Sequence, residues 1–110
     1  MSGSDIYTGT LDVLILKALS GGALHGYAIG SWIRRTSREV LEVDEGVLYP
    51  ALHRLQAKDW LAGKWGMTDT KRRAKFYRLT ASGRRHMEAE MRRLAEHSKA
   101  VLTLLKASHS

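Results

Sequence analysis

A chain of 110 residues holds one small domain, which excludes a multidomain machine or a large barrel. Apolar residues make up 44% and charged residues 26%, an ordinary globular balance, and the absence of cysteine removes disulfides, thiolate zinc sites, iron–sulfur clusters and thiol catalysis. Lys and Arg outnumber Asp and Glu by 18 to 11, a net charge of +7 that points to a polyanionic partner, most often nucleic acid.

The first predicted element is a helix over Thr10–Leu19, capped by Thr10 and stopped by Gly21-Gly22. Leu11, Leu14, Ile15, Ala18 and Leu19 share one face, while Val13 and Leu16 lie on another, so the helix is apolar nearly all round. Such a helix is buried on more than one side, and one of those sides is expected to face a partner chain. The same stretch is broken by Asp12 and Lys17 and is too short for a bilayer, which needs about 20 apolar residues. With no basic signal-peptide start, the expected location is the cytoplasm.

A second helix is expected over His25–Ser37, with Ala28, Ile29, Trp32 and Ile33 at helical spacing and Arg34, Arg35 and Arg38 near its C-terminal end. A third runs from Asp44, a candidate N-cap, to Asp59, and Leu48, Ala51, Leu52 and Leu55 form its core stripe. Pro50 must sit near the start of that helix or kink it. Gly46, Pro50, His53, Arg54 and Ala57 occupy the opposite face. Trp60–Met67 reads as a weak strand and Lys75–Thr80 as an alternating, aromatic-rich one, joined by a polar, basic tip. The last element is one helix over Ala81–Ala107, in which Met87, Met91, Leu94, Ser98, Val101 and Leu105 recur at spacings of 4, 3, 4, 3 and 4. That is a heptad seam. It suits a dimer, the alternative being a helix lying on its own core.

Three helices, a strand, a basic loop and a strand follow the order of a winged helix-turn-helix. In that arrangement the third helix enters the major groove of DNA and the hairpin wing lies on the flanks. Charge agrees: residues 1–43 hold four basic and four acidic residues, whereas residues 71–85 hold seven basic residues and no acid. Charge concentrated at a loop tip tracks phosphates; a merely solvated basic surface is the plain alternative. The expected class is therefore mainly α with a small β-hairpin. Its divisions are a tail over 1–9, a winged-helix DNA-binding domain over 10–80 and a C-terminal dimerisation helix over 81–110.

Four segments carry a family resemblance. Glu45-Gly46-Val47-Leu48-Tyr49-Pro50-Ala51-Leu52-His53-Arg54-Leu55 resembles the Gly-Thr/Ser-Leu-Tyr-Pro signature of PadR-family transcriptional regulators. Leu24-His25-Gly26-Tyr27 is similar to the family's Leu-His-Gly-Tyr, and Arg72-Arg73-Ala74-Lys75-Phe76-Tyr77-Arg78-Leu79-Thr80 to its wing strand. Gly9-Thr10-Leu11-Asp12 fits the family's opening. The resemblance implies a dimeric DNA-binding regulator, usually a repressor, that often responds to a small molecule. It departs from the family in Val47, which stands where Thr or Ser is usual, and in a C-terminal part limited to one helix, as in the family's short branch.

DNA contact is expected at Tyr49 and Pro50, which match the signature, at His53 and Arg54, on the face of the third helix away from its core stripe, and at Lys71, Arg72, Arg73 and Lys75 on the basic wing. Tyr49 can donate its hydroxyl to a phosphate, or simply pack beside Pro50. Arg54 can read guanine or bind a phosphate, or pair with a nearby acid. Arg78 can pair across the hairpin instead. Leu11, Leu14, Met87, Met91, Leu94, Val101 and Leu105 are the expected dimer contacts. Trp32 and Trp65, with Trp60, are candidates to line an apolar pocket for a small hydrophobic effector; core packing is the plainer reading. His86 or His97 near the seam is a candidate acid sensor. The five histidines lack metal-ligand spacing, no nucleophile–base set is visible, and neither a metal, a cofactor nor an enzymatic activity is expected. Two rivals remain: a winged-helix protein-interaction module without operator binding, and a basic RNA-binding protein.

Overall fold

The computed structural model describes residues 8–109. The element order is α1 (Thr8–Leu19), β1 (Leu24–His25), α2 (Gly26–Thr36), α3 (Glu45–Ala57), β2 (Leu61–Met67), β3 (Arg73–Leu79) and α4 (Ala81–Leu105). The three strands form one antiparallel sheet in the order β1-β3-β2, with Leu61 opposite Leu79 at its base and Met67 opposite Arg73 at its tip. This is the mainly α winged helix-turn-helix that the sequence implies. Residues 1–7 of the expected tail lie outside the described residues, and α1 begins at Thr8 rather than Thr10.

α1 is the centre of the core. Leu11, Ile15 and Leu16 are at most 1% exposed, and Val13, Ala18 and Leu19 are also buried. Much of the apolar surface of this helix is met inside the chain, where α2, α3 and α4 all pack on it. The expected dimer contact at Leu11 is corrected accordingly. Leu11 in particular belongs to the chain's own core, with Leu14 half-buried beside it.

α3 buries Leu48, Ala51, Leu52 and Leu55, the stripe read from the sequence. Asp44 occupies the N-cap position without a side-chain bond; its carbonyl accepts from the N–H groups of Val47 and Leu48 at 3.0 and 2.9 Å. Pro50 sits inside the helix, exposed to solvent, where water can serve the carbonyl left without a proline N–H. The helix ends in a Schellman turn: the Trp60 N–H reaches the Leu55 carbonyl at 3.1 Å and the Asp59 N–H reaches that of Gln56 at 2.9 Å. Asp59 takes the left-handed position at φ 61°, where glycine is usual.

The start of α4 is clamped to that turn. Thr80 and Ser82 both donate their hydroxyls to the Asp59 carbonyl, at 2.6 and 3.0 Å. The Thr80 oxygen also accepts the Gly83 N–H at 3.0 Å, which caps the helix. A Cβ on Gly83 would collide with the Trp60 carbonyl oxygen, so only glycine allows the helix to approach this backbone. One turn later Met87 is 4% exposed, inside the core shared with α1. Met87 is thus withdrawn from the expected seam. Beyond Leu94, which is half-buried, the helix runs bare, and Val101, Leu102, Leu104 and Leu105 are all exposed. Its last helical residue is Leu105, two short of the expected end. No helix among the described residues is long and apolar enough to cross a membrane.

Candidate nucleic-acid interface

Two separate sequence motifs meet at one point. His25 caps α2, its Nδ1 accepting the Ala28 N–H at 3.1 Å, and its ring stacks on Phe76 of β3 at 5.2 Å. The cap brings Gly26 under the ring of Tyr49 from α3: a Cβ on Gly26 would lie 2.7 Å from the Tyr49 hydroxyl and 2.8 Å from its ring. The His-Gly pair of one segment therefore makes the seat for the Tyr of the other. Below this seat lies Tyr77, buried, whose phenol is pushed above its usual pKa by burial first and by the neighbouring Tyr49 second. The phenol stays protonated at physiological pH.

An open groove of about 400 Å³ runs from this seat to the wing. Tyr27, Tyr49 and His53 form its helical side, and Trp65, Arg73 and Lys75 its hairpin side. Of the residues expected on α3, Tyr49 and His53 are exposed and line the groove, and Pro50 is exposed next to them. Arg54 is different. Its guanidinium donates to Asp12 of α1 at 2.5 Å, so it pins α3 to α1 instead of facing outward with His53. The acid responsible lies 42 residues away in the chain.

The wing shows a similar division. Its tip closes by bonds from the Thr68 N–H to the Arg72 carbonyl at 2.8 Å and from the Lys71 N–H to the Thr68 carbonyl at 2.9 Å. Lys71 and Arg72 are exposed there. Arg73 lies over the indole of Trp65, 4.9 Å from the ring centre. Lys75 turns inward: its ammonium donates to Gln56 Oε1 of α3 at 3.2 Å, passing the strand at Gly63, where a Cβ would come within 2.5 Å of Lys75 Cε. Lys75 thus fastens the hairpin to α3.

Motif matching alone assigns no role to Tyr27, although it is 74% exposed at the start of α2 and lines the groove. Its place in the Leu-His-Gly-Tyr segment is the signal that points to it. The two tryptophans expected to share a pocket are apart. Trp32 packs on the core from α2, whereas Trp65 stands on the wing and lines the groove. Trp60 stacks on His86, ring centres 3.6 Å apart, and both are half-buried. His97 lines a different cavity, of about 360 Å³, between Val13 of α1 and Leu94 of α4. Among the described residues no group of three His, Cys, Asp or Glu side chains is placed to hold a metal ion.

Known proteins share both the sequence pattern and the fold. The model of the PadR-like transcriptional regulator family matches residues 15–89. A transcriptional regulator of Mycobacterium tuberculosis is 36% identical over 74 residues, 66% of this chain and 68% of its own length. An uncharacterized protein of Lysinibacillus sphaericus is 28% identical over 96 residues, covering 87% of this chain and 88% of that one. Among solved structures, a transcriptional regulator from Clostridium thermocellum superimposes with a TM-score of 0.80 at 28% identity, covering 89% of this chain and 95% of its own. A PadR-like regulator from Bacillus cereus gives 0.76 at 25% identity, covering 91% and 95%. With the Tyr49 seat, the groove and the basic hairpin in place, this chain belongs to the PadR-like family of DNA-binding transcriptional regulators.

Proposed function

We propose that the protein is a homodimeric repressor whose two α3 helices enter successive major grooves of an operator while the wings hold the flanking backbone. The observation that carries this reading is the groove itself, which sets the exposed Tyr49 and His53 of α3 opposite Arg73 of the wing. In this role Tyr49 donates to a phosphate, His53 and Pro50 meet base edges, and Lys71, Arg72 and Arg73 supply phosphate contacts. Arg54 and Lys75, engaged by Asp12 and Gln56, hold the interface in shape. Two-fold symmetry places the half-sites about one helical turn, roughly 34 Å, apart.

Dimerisation is supported by the apolar side chains that α4 leaves exposed or half-buried, with Met91, Leu94, Val101 and Leu105 as its contacts. Residues 10–80 then act as the DNA-binding unit and the helix beyond residue 81 as the arm, its first turns shared with the core. Repression is relieved in this scheme by a small apolar molecule that favours one angle between the two heads. The cavity between α1 and α4 lies where such an angle would be set, which favours it over the tryptophans. Val47 is the best support for an interaction module without an operator; it packs against the core and leaves the groove intact.

The test is a titration of fluorescent duplexes, selected from fragmented genomic DNA, at several salt concentrations. Affinity should fall steeply with salt. Changing Lys71, Arg72 and Arg73 together to Ala should flatten the slope of log K against log salt by about 0.9 for each phosphate the wing no longer neutralises. Binding that ignores salt, or prefers folded RNA, would overturn the reading.

A further inference from the structure

Resting on the DNA-binding reading above, the geometry points to Trp65 as a positioning residue: its indole holds the guanidinium of Arg73 over the ring face and so presents its N–H donors to a phosphate of the DNA backbone. Trp65 is 57% exposed on β2, which is unusual for the largest apolar side chain unless its face is in use. Nothing in its own strand pair needs it. Its direct cross-strand neighbour is Lys75, and that side chain leaves for Gln56 on α3. Arg73, two pairs nearer the tip and opposite Met67, takes the vacated indole face at 4.9 Å.

The chemistry follows from the shape of the guanidinium. Stacking uses its flat face, whereas its N–H donors point outward in the plane, so an arginine lying on a ring keeps its whole donor fork free. No carboxylate takes that fork: the ion pairs among the described residues join Arg34 to Glu39, Arg54 to Asp12 and Arg93 to Glu90. A phosphate suits it, since two oxygens match the fork in a bidentate, charge-assisted pair. A free surface arginine must also give up rotamer freedom when it binds. Trp65 removes part of that cost before DNA arrives. The wing cations thus differ in kind: Lys71 and Arg72 at the tip are loose charges, and Arg73 is a fixed donor pair at the mouth of the groove.

The experiment titrates the full chain against one selected duplex, with wild type, Trp65→Leu, Trp65→Phe, Arg73→Gln and the double variant Trp65→Leu with Arg73→Gln. Trp65→Leu should weaken binding about three- to tenfold, and Trp65→Phe, which restores a ring face, should recover most of that loss. In the Arg73→Gln background the Trp65→Leu change should add less than about twofold, because the indole acts through Arg73. Salt slope gives a second readout: Arg73→Gln should lower it by about 0.9, while Trp65→Leu leaves it nearly unchanged if the arginine still reaches the phosphate from a looser start. Unchanged affinity on Trp65→Leu overturns the inference. So does an equal loss in both Arg73 backgrounds, which would make Trp65 an independent contact or a structural one. A wild-type chain that binds no duplex would instead overturn the DNA-binding reading itself, so the two failures are distinguishable.

Discussion

The two halves of α4 are one continuous helix with opposite fates. Up to Leu94 it is built into the domain: Thr80 and Ser82 hold the Asp59 carbonyl, Gly83 lies against the Trp60 backbone, and Met87 enters the core. Past Leu94 it projects, and the molecule is 61 Å long against 30 and 21 Å in the other directions. Val101, Leu102, Leu104 and Leu105 lie on that projecting half, with Leu105 75% exposed. A helix that fixes its first turns with this much hydrogen bonding, then leaves four large apolar side chains in water, has its second half shaped for something outside the chain. In the homodimer proposed above, that is the same helix of a second copy.

The built-in half is most vulnerable at Gly83. Replacing it with Ala drives a methyl carbon into a backbone carbonyl oxygen, an overlap that no rotamer change can relieve. The helix must lift from the α3–β2 corner, carrying Met87 out of the core. Gly83→Ala should therefore cost about 4 kcal/mol or more, at the exceptional end of single substitutions, as read by urea denaturation. A variant of near wild-type stability would mean that the clamp does not set the course of the helix.

The bare half should respond in the reverse manner. Val101→Asp combined with Leu105→Asp puts two carboxylates on an exposed face and should leave the monomer's fold intact. In a dimer those carboxylates would be buried without partners, at several kcal/mol, enough to dissociate it. Light scattering should read monomers while circular dichroism stays native. A dimer that survives both changes places the interface elsewhere.

Arg54 is a smaller test of what belongs to the built-in side. It pins α3 to α1 through Asp12, with the two side chains 38% and 21% exposed. Arg54→Ala and Asp12→Asn should each cost about 0.5–1 kcal/mol of stability, after allowance for solvent screening. Both should weaken a selected duplex and a scrambled one alike. A loss confined to the selected duplex would return Arg54 to base reading.

Much of this is legible in the residues. Apolar spacing and end residues place all four helices within a few positions, and alternation with a basic tip places the hairpin. The strand that escapes such reading, Leu24–His25, is two residues long, below any periodic signal; it forms because His25 must both cap α2 and stack on Phe76. Side-chain direction is harder to read. The stripe of α3 puts Arg54 off the core face, yet the choice between DNA and Asp12 is made by a contact across 42 residues. Lys75 has the look of one more wing cation, and only the gap at Gly63 lets it cross to Gln56. The heptad spacing of α4 runs unbroken through Met87, because a repeat cannot tell an apolar residue that meets its own domain from one that meets another.

The smallest expected effect strengthens the clamp. Asp59 holds φ 61°, a left-handed conformation that costs a residue with a Cβ and costs glycine almost nothing. Its contribution to the clamp comes from its backbone: the carbonyl accepts from Thr80 and Ser82, and the N–H closes the Schellman turn on Gln56. Its side chain makes no hydrogen bond or ion pair among the described residues. Asp59→Gly keeps every backbone bond and removes the strain, though a glycine loses more freedom on folding. The net expectation is a gain of about 0.5 kcal/mol, since aspartate tolerates the left-handed region better than most residues and so has less strain to release. Thermal denaturation should show a small rise in Tm, and duplex affinity should stay the same because the change is remote from the groove. Asp59→Val supplies the contrast: its branched Cβ is the worst fit for this φ and should lower stability by about 1–2 kcal/mol. If Gly and Val shift stability in the same direction, backbone strain at Asp59 is not what limits the hold of the first half of α4.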